Sequence, residues 1–183
     1  MELKNRLEDK IRDVLKREGS EYLIPSDAKT YRGIILRLSK DFKDCHADKV
    51  VAIDMKGLSY GPSNAYRMKL PFIPLVKVNK IKKRELILKG RLFKDWSGKK
   101  KSLEIFRSSI RKGDRILLVD DGIDSGQNIR SAISLIERLG GKIVGLAVVI
   151  NQMDDQDEKK FGKYNLKYIK RFRPKSKREV QFP

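Results

Sequence analysis

The chain of 183 residues contains very few of the residues that build covalent or metal-bound frameworks. It has one cysteine, Cys45, so no disulfide can form within the chain. Its one histidine, His46, has no cysteine or histidine companions at the spacings of a zinc site. The sequence also offers no Ser-His-Asp or Cys-His constellation for nucleophilic catalysis. These absences exclude a disulfide-bonded fold, a zinc site built from Cys and His, and hydrolases that use such a nucleophilic constellation.

Long apolar segments are missing as well. No run approaches the roughly 20 residues that a membrane-spanning helix needs, and the N-terminus, MELKNRLEDKIRDVLKREG, is too charged for a secretory signal. Hydrophobic residues make up 39% of the chain and charged residues 37%. We therefore expect a cytoplasmic protein without membrane attachment, folded as a single domain over residues 1–183.

Positive charge is what the chain has in excess, with a formal net charge of +19. Residues 76–115 hold fifteen Lys and Arg against four Asp and Glu, and residues 159–178 hold ten basic residues and no acidic one. The remainder is close to neutral. The two basic segments are expected to attract polyanions, either a polyphosphate ligand or nucleic acid, although a charge run is more often a solvated face.

Residues 116–150 have the pattern of a βαβ unit. The apolar run Ile116–Val119 predicts a strand that is buried on both faces. Apolar residues at helical spacing over Ile129–Leu139 predict a helix, which two glycines close. Val144–Ile150 predicts the next buried strand. The turn between the first strand and the helix is therefore placed at the end of a parallel strand.

That turn carries the chemistry. Two carboxylates, Asp120 and Asp121, follow the strand, and the polar segment Asp124–Asn128 opens the helix. The first turn of a helix offers unpaired N–H groups and a positive dipole end to a phosphate, and Gly126 lets the backbone approach the anion. The carboxylates suit ligand hydroxyls or a hydrated Mg²⁺. A ribose 5-phosphate combines hydroxyls and phosphate in this way.

The sequence VDDGIDSGQN, residues 119–128, resembles the phosphoribosyl pyrophosphate motif of the type I phosphoribosyltransferases. The resemblance implies an α/β fold with a mostly parallel central sheet flanked by helices, a small hood and a flexible loop. It implies that Asp120 and Asp121 contact the ribose hydroxyls and hold Mg²⁺. The residues implied in binding phosphoribosyl pyrophosphate are Asp120, Asp121, Asp124, Ser125, Gly126, Gln127 and Asn128.

Asp124 bears on the choice of base. It stands where hypoxanthine-guanine members of this family carry an aspartate near the reacting carbon, whereas adenine members usually have alanine. The resemblance implies catalytic roles for Asp124, Asp120 and Asp121. Two positions differ from the family pattern, because Gly122 replaces an apolar residue and Gln127 stands where many members have glycine.

A second candidate anion-binding turn precedes this motif. Val50–Ile53 predicts a short buried strand, and the DMKG turn follows it ahead of a helix predicted within residues 58–68. A lysine beside a glycine and free N–H groups suits an anion. The segment resembles the pyrophosphate-contacting region of the adenine phosphoribosyltransferase group. The residues implied in pyrophosphate binding are Asp54, Met55, Lys56, Gly57 and Lys77.

The chain departs from the family after the strand predicted over residues 71–76. The family usually has Arg-Lys there, whereas Val76 precedes Lys77 in this chain, so Lys56 or Lys80 is the candidate for the missing charge. Residues 78–103 are polar and basic, and they predict a loop with a short hairpin arm before Trp96. The family has a loop here that closes over the active site. The acid-Tyr-Gly stretch of adenine-specific members is absent.

The remaining segments are predicted from their periodicity. Residues 1–19 form an amphipathic helix, and Asp27 is a candidate cap for a second helix that runs to about Asp44. Glu104 is expected on the solvated face of a helix, with a functional role as the alternative. Residues 164–172 are expected to form an edge strand, and residues 173–183 a disordered basic tail.

The resemblance implies a homodimeric purine phosphoribosyltransferase, most like the adenine group. Such an enzyme transfers the phosphoribosyl group of phosphoribosyl pyrophosphate to a purine base in nucleotide salvage, with Mg²⁺, and releases pyrophosphate. The alternative is a non-catalytic regulator of the same fold. It would bind DNA or RNA through the basic segments, with phosphoribosyl pyrophosphate as its effector.

Overall fold

The computed structural model describes residues 2–18, 21–94 and 100–172. The helices are α1 (Glu2–Glu18), α2 (Ala28–Asp41), α3 (Gly61–Met68), α4 (Gln127–Arg138) and α5 (Asp155–Lys159). The strands are β1 (Lys49–Ile53), β2 (Phe72–Lys77), β3 (Ile87–Lys89), β4 (Phe93–Lys94), β5 (Lys100–Lys101), β6 (Leu103–Phe106), β7 (Arg115–Ile123), β8 (Lys142–Asn151) and β9 (Leu166–Arg171). Short 3-10 helices lie at Glu21–Ser26, Lys56–Ser59, Arg84–Leu86, Arg107–Ser109 and Gly162–Tyr164.

A seven-stranded sheet in the order β3-β6-β2-β1-β7-β8-β9 forms the centre. The five strands from β2 to β9 in this order are parallel, whereas β6 is antiparallel to both of its neighbours. In the register, Val51 lies opposite Ile73 on one side and Leu118 on the other. The predicted α/β fold with a mostly parallel sheet is confirmed.

Apolar side chains cover both faces of this sheet. One face packs against α4 through Ile129, Ile133 and Ile136. The other face packs against α1, α2 and α3. Because the central strands are buried on both sides, they are apolar without interruption over Val50–Ile53 and Ile116–Val119.

The helix ends follow their local sequence. The side chain of Asp27 accepts a hydrogen bond from the Thr30 N–H at 2.7 Å, so the predicted cap of α2 is confirmed. Helix α2 ends at Asp41, about three residues before the predicted end. After α4, Gly140 adopts a φ of 86°, and this left-handed residue stops the helix as predicted.

The two candidate anion-binding turns lie at a switch point of the sheet. From β1 the chain crosses through α3 to β2 on one side, whereas from β7 it crosses through α4 to β8 on the other side. Helices α3 and α4 pack on opposite faces. By this topology, the ligand-binding crevice of an open α/β sheet is expected at the carboxyl ends of β1 and β7.

Residues 78–106 differ most from expectation. The hairpin arm predicted before Trp96 is not observed there, because β3 pairs with β6 of the main sheet. Strands β4 and β5 instead pair with each other from either side of residues 95–99. The placement of Glu104 on a solvated helix face is wrong, because this residue lies in strand β6 and is fully buried. Its neighbours Leu103 and Ile105 face the α4 side of the core, which puts Glu104 on the opposite face. Trp96 falls outside the described residues.

The chain ends bear out two further predictions. The N-terminal helix is present as α1, and β9 forms the predicted edge strand, parallel to β8. The basic tail over residues 173–183 lies outside the described residues, and the single-domain division stays a prediction. In the three described ranges no helix has both the length and the apolar character needed to cross a bilayer.

Candidate active site

The two aspartates of the motif lie near the end of β7, within the strand and not after it. Asp120 is only 4% exposed, whereas Asp121 is partly exposed. The Asp121 N–H donates to Asp120 Oδ1 at 3.0 Å. Since successive residues of a strand point to opposite faces, the two carboxylates are directed differently, and of the two only Asp121 is partly exposed to solvent.

The burial of Asp120 changes its acidity. Burial, and then the adjacent charge of Asp121, raise the pKa of Asp120 well above the ordinary value for an aspartate. The neighbouring Lys56 opposes this shift but contributes less. A protonated Asp120 can donate a hydrogen bond as well as accept one, which suits a sugar hydroxyl.

Lys56 joins the DMKG turn to the aspartate pair. Its Nζ lies 3.1 Å from Asp121 Oδ2 and 2.5 Å from Glu21 Oε1. Burial acts to lower the pKa of Lys56, but the charges of Asp121 and Glu21 outweigh it and hold this pKa above its usual value. Lys56 is therefore a firmly protonated cation at the boundary between β1 and β7.

Gly57 brings the same turn against Asp120. A Cβ atom built on Gly57 would lie 2.6 Å from Asp120 Oδ1 and 3.2 Å from the Asp120 Cα. No side chain fits at that separation without a shift of the backbone or the carboxylate. The turn and the aspartate pair, predicted from separate parts of the sequence, thus form one structure.

The end of β2 is connected to the same cluster. Asp54 Oδ2 accepts a hydrogen bond from the Lys77 N–H at 3.3 Å, and the peptide bond between Asp54 and Met55 is cis. Met55 is exposed at the tip of the turn. All five residues predicted to bind pyrophosphate therefore lie together at the carboxyl ends of β1 and β2.

The predicted phosphate loop opens helix α4. Asp124 Oδ1 accepts hydrogen bonds from the Ser125 N–H at 2.5 Å and the Ser125 hydroxyl at 3.2 Å. Gly126 has a φ of 70° and precedes the first helical residue, and Gln127 and Asn128 are exposed at the helix start. The first N–H groups of α4 have no partner within the helix, so they are available to an anion.

Two residues beneath this loop were missed by sequence reasoning. A Cβ on Gly126 would lie 2.5 Å from the ring of Phe161, and Arg130 donates a hydrogen bond to the Ser125 carbonyl. The Arg130 guanidinium carbon lies 5.2 Å from the Phe161 ring centroid. Phe161 follows α5, far along the chain, so no local pattern could have connected it with the loop.

The sequence analysis also did not predict Glu21 and Tyr60 as residues of the site. Glu21 belongs to the 3-10 helix before α2 and reaches the site through Lys56. Tyr60 is buried just after the DMKG turn, and burial, followed by the charge of Asp121, raises its pKa. Both depend on contacts between elements that are distant in sequence.

The carboxylates fit one kind of metal site only. Across residues 2–18, 21–94 and 100–172, no group of three or more His, Cys, Asp or Glu side chains could enclose a metal ion. Asp120 and Asp121 thus suit a Mg²⁺ ion that takes most of its ligands from water and substrate oxygens. The site provides cations, carboxylates and free N–H groups side by side, as a sugar with phosphates at both ends requires.

Comparisons with known proteins identify the family of the chain. A model of the phosphoribosyl transferase domain matches residues 20–181. The adenine phosphoribosyltransferase of Desulfosudis oleivorans is 32% identical over 140 residues, 76% of this chain and 79% of the relative. That of Clostridium tetani is 30% identical, covering 87% of this chain and 94% of the relative. The crystal structure of the Thermoanaerobacter pseudethanolicus adenine phosphoribosyltransferase superposes with a TM-score of 0.73 at 26% identity, covering 81% of this chain and 84% of that one. The chain belongs to the phosphoribosyl transferase family.

Proposed function

We propose that the protein is a purine phosphoribosyltransferase of nucleotide salvage. It transfers the phosphoribosyl group of phosphoribosyl pyrophosphate to a purine base, with adenine as the preferred acceptor, and releases pyrophosphate. The observation that carries the proposal is the contact of the two turns, through Lys56 with Asp121 and Gly57 with Asp120. Relatives named adenine phosphoribosyltransferase, at 30–32% identity, support the activity and the base.

Each part of phosphoribosyl pyrophosphate is assigned to protein groups of suitable charge. The ribose hydroxyls contact Asp120 and Asp121, and the 5-phosphate binds the N–H groups of residues 124–128 at the start of α4. The pyrophosphate lies over the DMKG turn, residues 54–57, with Lys77 beside it. Mg²⁺, held by the two aspartates and substrate oxygens, would neutralise charge on the leaving pyrophosphate.

Positioning and electrostatics carry the reaction. The bond from C1 of the ribose to pyrophosphate breaks largely before the bond to the base nitrogen forms, and this leaves positive character on the ring. Asp120 and Asp121 orient the sugar, while the α4 N-terminus fixes its far end. Asp124 lies at the mouth of the phosphate loop, where its carboxylate stabilises the cationic ring or accepts a proton from the base.

Turnover of radiolabelled phosphoribosyl pyrophosphate with adenine, hypoxanthine and guanine tests the proposal. We expect nucleotide to form from adenine. If nucleotide forms from hypoxanthine and guanine alone, the proposed phosphoribosyl transfer stands, but adenine is not the acceptor. That result would agree with the role that the resemblance implies for Asp124. Binding of phosphoribosyl pyrophosphate without product from any base would contradict an enzyme. Steeply salt-dependent binding of DNA or RNA would then favour the regulator.

We also propose a cytoplasmic homodimer. Its basis is the family resemblance, together with two large exposed side chains, Met55 in the DMKG turn at 55% and Tyr66 in α3 at 88%. Large exposed apolar side chains often mark protein contacts. Sedimentation equilibrium is expected to give twice the chain mass, and a monomer at micromolar concentration would contradict the dimer.

A further inference from the structure

Glu104 is a buried acid that the proposed reaction does not use. It is 0% exposed in the middle of β6. Its Oε1 accepts hydrogen bonds from the N–H groups of Lys80 at 2.9 Å and Ile81 at 2.8 Å. Its Oε2 is buried and has no hydrogen-bond partner within the described ranges of the chain.

A carboxylate is an expensive residue at such a position. Burial removes its hydration, and two N–H donors replace only part of what water supplied. The flanking residues Leu103 and Ile105 show that this strand otherwise accepts apolar side chains. An acid here is therefore explained by what its carboxylate holds in place, and not by core packing.

The carboxylate holds the turn that follows β2. Asn79 adopts a φ of 73°, and the next two N–H groups converge on Glu104 Oε1, which is how a backbone turn forms an anion-binding concavity. A further bond runs from the Val78 N–H to the Ser102 carbonyl at 3.1 Å. The turn is thus tied to β6 at successive residues.

This turn begins directly after Lys77. The Lys77 N–H donates to Asp54 Oδ2, so the same few residues connect Glu104 with the carboxyl end of β1. Val76 lies opposite Glu104 in the ladder between β2 and β6. The path of the chain at Lys77 is therefore fixed on one side by Asp54 and on the other by Glu104.

We propose that Glu104 is a positioning residue for the pyrophosphate subsite, holding the turn 78–81 so that Lys77 stays aligned with the DMKG turn. The inference rests on the proposed function, which gives pyrophosphate to residues 54–57 with Lys77 and the 5-phosphate to residues 124–128. Glu104 acts on the first subsite only. Its removal lowers the affinity for ligands that carry a pyrophosphate and leaves the affinity for other ligands unchanged.

Two ligands separate the subsites. Phosphoribosyl pyrophosphate occupies both subsites, whereas ribose 5-phosphate lacks the pyrophosphate and reports on the other subsite alone. The dissociation constants of both are measured by titration calorimetry for the wild-type protein and for Glu104→Ala, Glu104→Gln and Glu85→Ala. Glu85 is the matched control, because it is an exposed acid in the same segment and lies before β3. Hydrogen exchange over residues 78–86 reports on the turn itself.

We expect Glu104→Ala to weaken the binding of phosphoribosyl pyrophosphate about tenfold, which corresponds to the loss of one good interaction. Its affinity for ribose 5-phosphate should stay within about twofold of the wild type, and exchange in the turn should accelerate. Glu104→Gln keeps the Oε1 acceptor, so it should restore most of the affinity. Glu85→Ala should change neither constant.

Other outcomes would contradict either the positioning role of Glu104 or the proposed function. Equal loss for both ligands would mean a general defect and would overturn the positioning role, as would accelerated exchange with unchanged affinity for phosphoribosyl pyrophosphate. If Glu104→Ala does not fold, Glu104→Asp retracts the carboxylate from the turn and should show the same selective loss. A wild-type protein that binds ribose 5-phosphate and not phosphoribosyl pyrophosphate would contradict the proposed function itself.

Discussion

At the scale of single residues, the site depends on an acid that the fold keeps away from water. Asp120 is enclosed between the DMKG turn and Asp121, and burial raises its pKa. Sites that bind ligands often retain groups that cost folding stability. Asp120 is such a group, because its carboxyl group can contact a bound sugar, whereas its ionisation costs stability in the free protein.

The pH dependence of stability should reveal this burden. The folded-state pKa of Asp120 lies above its unfolded value, so the contribution of this group to stability is greatest at low pH and is lost as pH rises through the folded pKa. Asp120→Asn cannot ionise and escapes this loss. We expect its free energy of unfolding to exceed that of the wild type at pH 8 and to match it near pH 4.

Urea unfolding at several pH values measures the difference. The exposed Asp44, replaced by Asn, is the control and should show no comparable trend with pH. A variant Asp120→Asn that is less stable than the wild type at pH 8 would show that the Asp120 charge is compensated in the folded protein. Ribose 5-phosphate should bind this variant more weakly in either case.

Site residues could be predicted from the sequence where they are close to one another along the chain. The carboxylate pair and the phosphate loop are adjacent in sequence, so the residues from Asp120 to Asn128 could be identified together. Glu104 could not be placed in the same way, because its surroundings come from the turn at residues 78–81 on another strand. Its sequence context, SLEIFRSSI, fits a helical and a strand period about equally.

At the scale of elements, the N-terminus of α4 depends on the packing below it. Gly126 has a positive φ and lies against the ring of Phe161, which belongs to the segment after α5. The phosphate loop is therefore shaped by two elements, its own helix and the connection between β8 and β9. Periodicity predicted α4 and β8, but it carried no information about this contact.

A methyl group at Gly126 tests the arrangement. Gly126→Ala places a Cβ 2.5 Å from Phe161 and requires a left-handed conformation, so the loop must shift. We expect a loss of about 2–3 kcal/mol in the free energy of unfolding, measured in urea. The affinity for ribose 5-phosphate should fall at least about tenfold by calorimetry.

Gly162 supplies the control for this change. A Cβ built there meets no atom within 4 Å, and its φ is not positive. Gly162→Ala should stay within about 0.5 kcal/mol of the wild type and bind ribose 5-phosphate unchanged. A well-folded Gly126→Ala protein with unaltered affinity would contradict the assignment of the loop to the phosphate.

At the scale of the whole molecule, the switch point of the sheet explains why two separate turns form one site. The parallel strands β1 and β7 are neighbours, yet their following helices pack on opposite faces. The order of the strands was not predictable from apolar runs, since those runs fix which segments are strands and not which strands pair. The family resemblance implied a mostly parallel sheet without giving the order of its strands.

Within the described residues, both basic segments include strands at the edges of this sheet. The first basic segment includes β3 and β6 at one edge, and the second includes β9 at the other. Part of this charge is neutralised internally, because Arg171 pairs with Asp155 and Glu158, and Lys170 lies 3.4 Å from Glu8. An excess of positive charge speeds the capture of a polyanionic substrate, which is the kind of substrate proposed for this protein.

A crystal structure of the protein with ribose 5-phosphate is the most direct measurement. We expect ribose hydroxyls within hydrogen-bonding distance, about 2.5–3.2 Å, of the carboxylates of Asp120 and Asp121. The phosphate should lie on the N–H groups of residues 125–128 at the start of α4. A sugar bound elsewhere, or one that leaves both aspartates without a contact, would contradict the site.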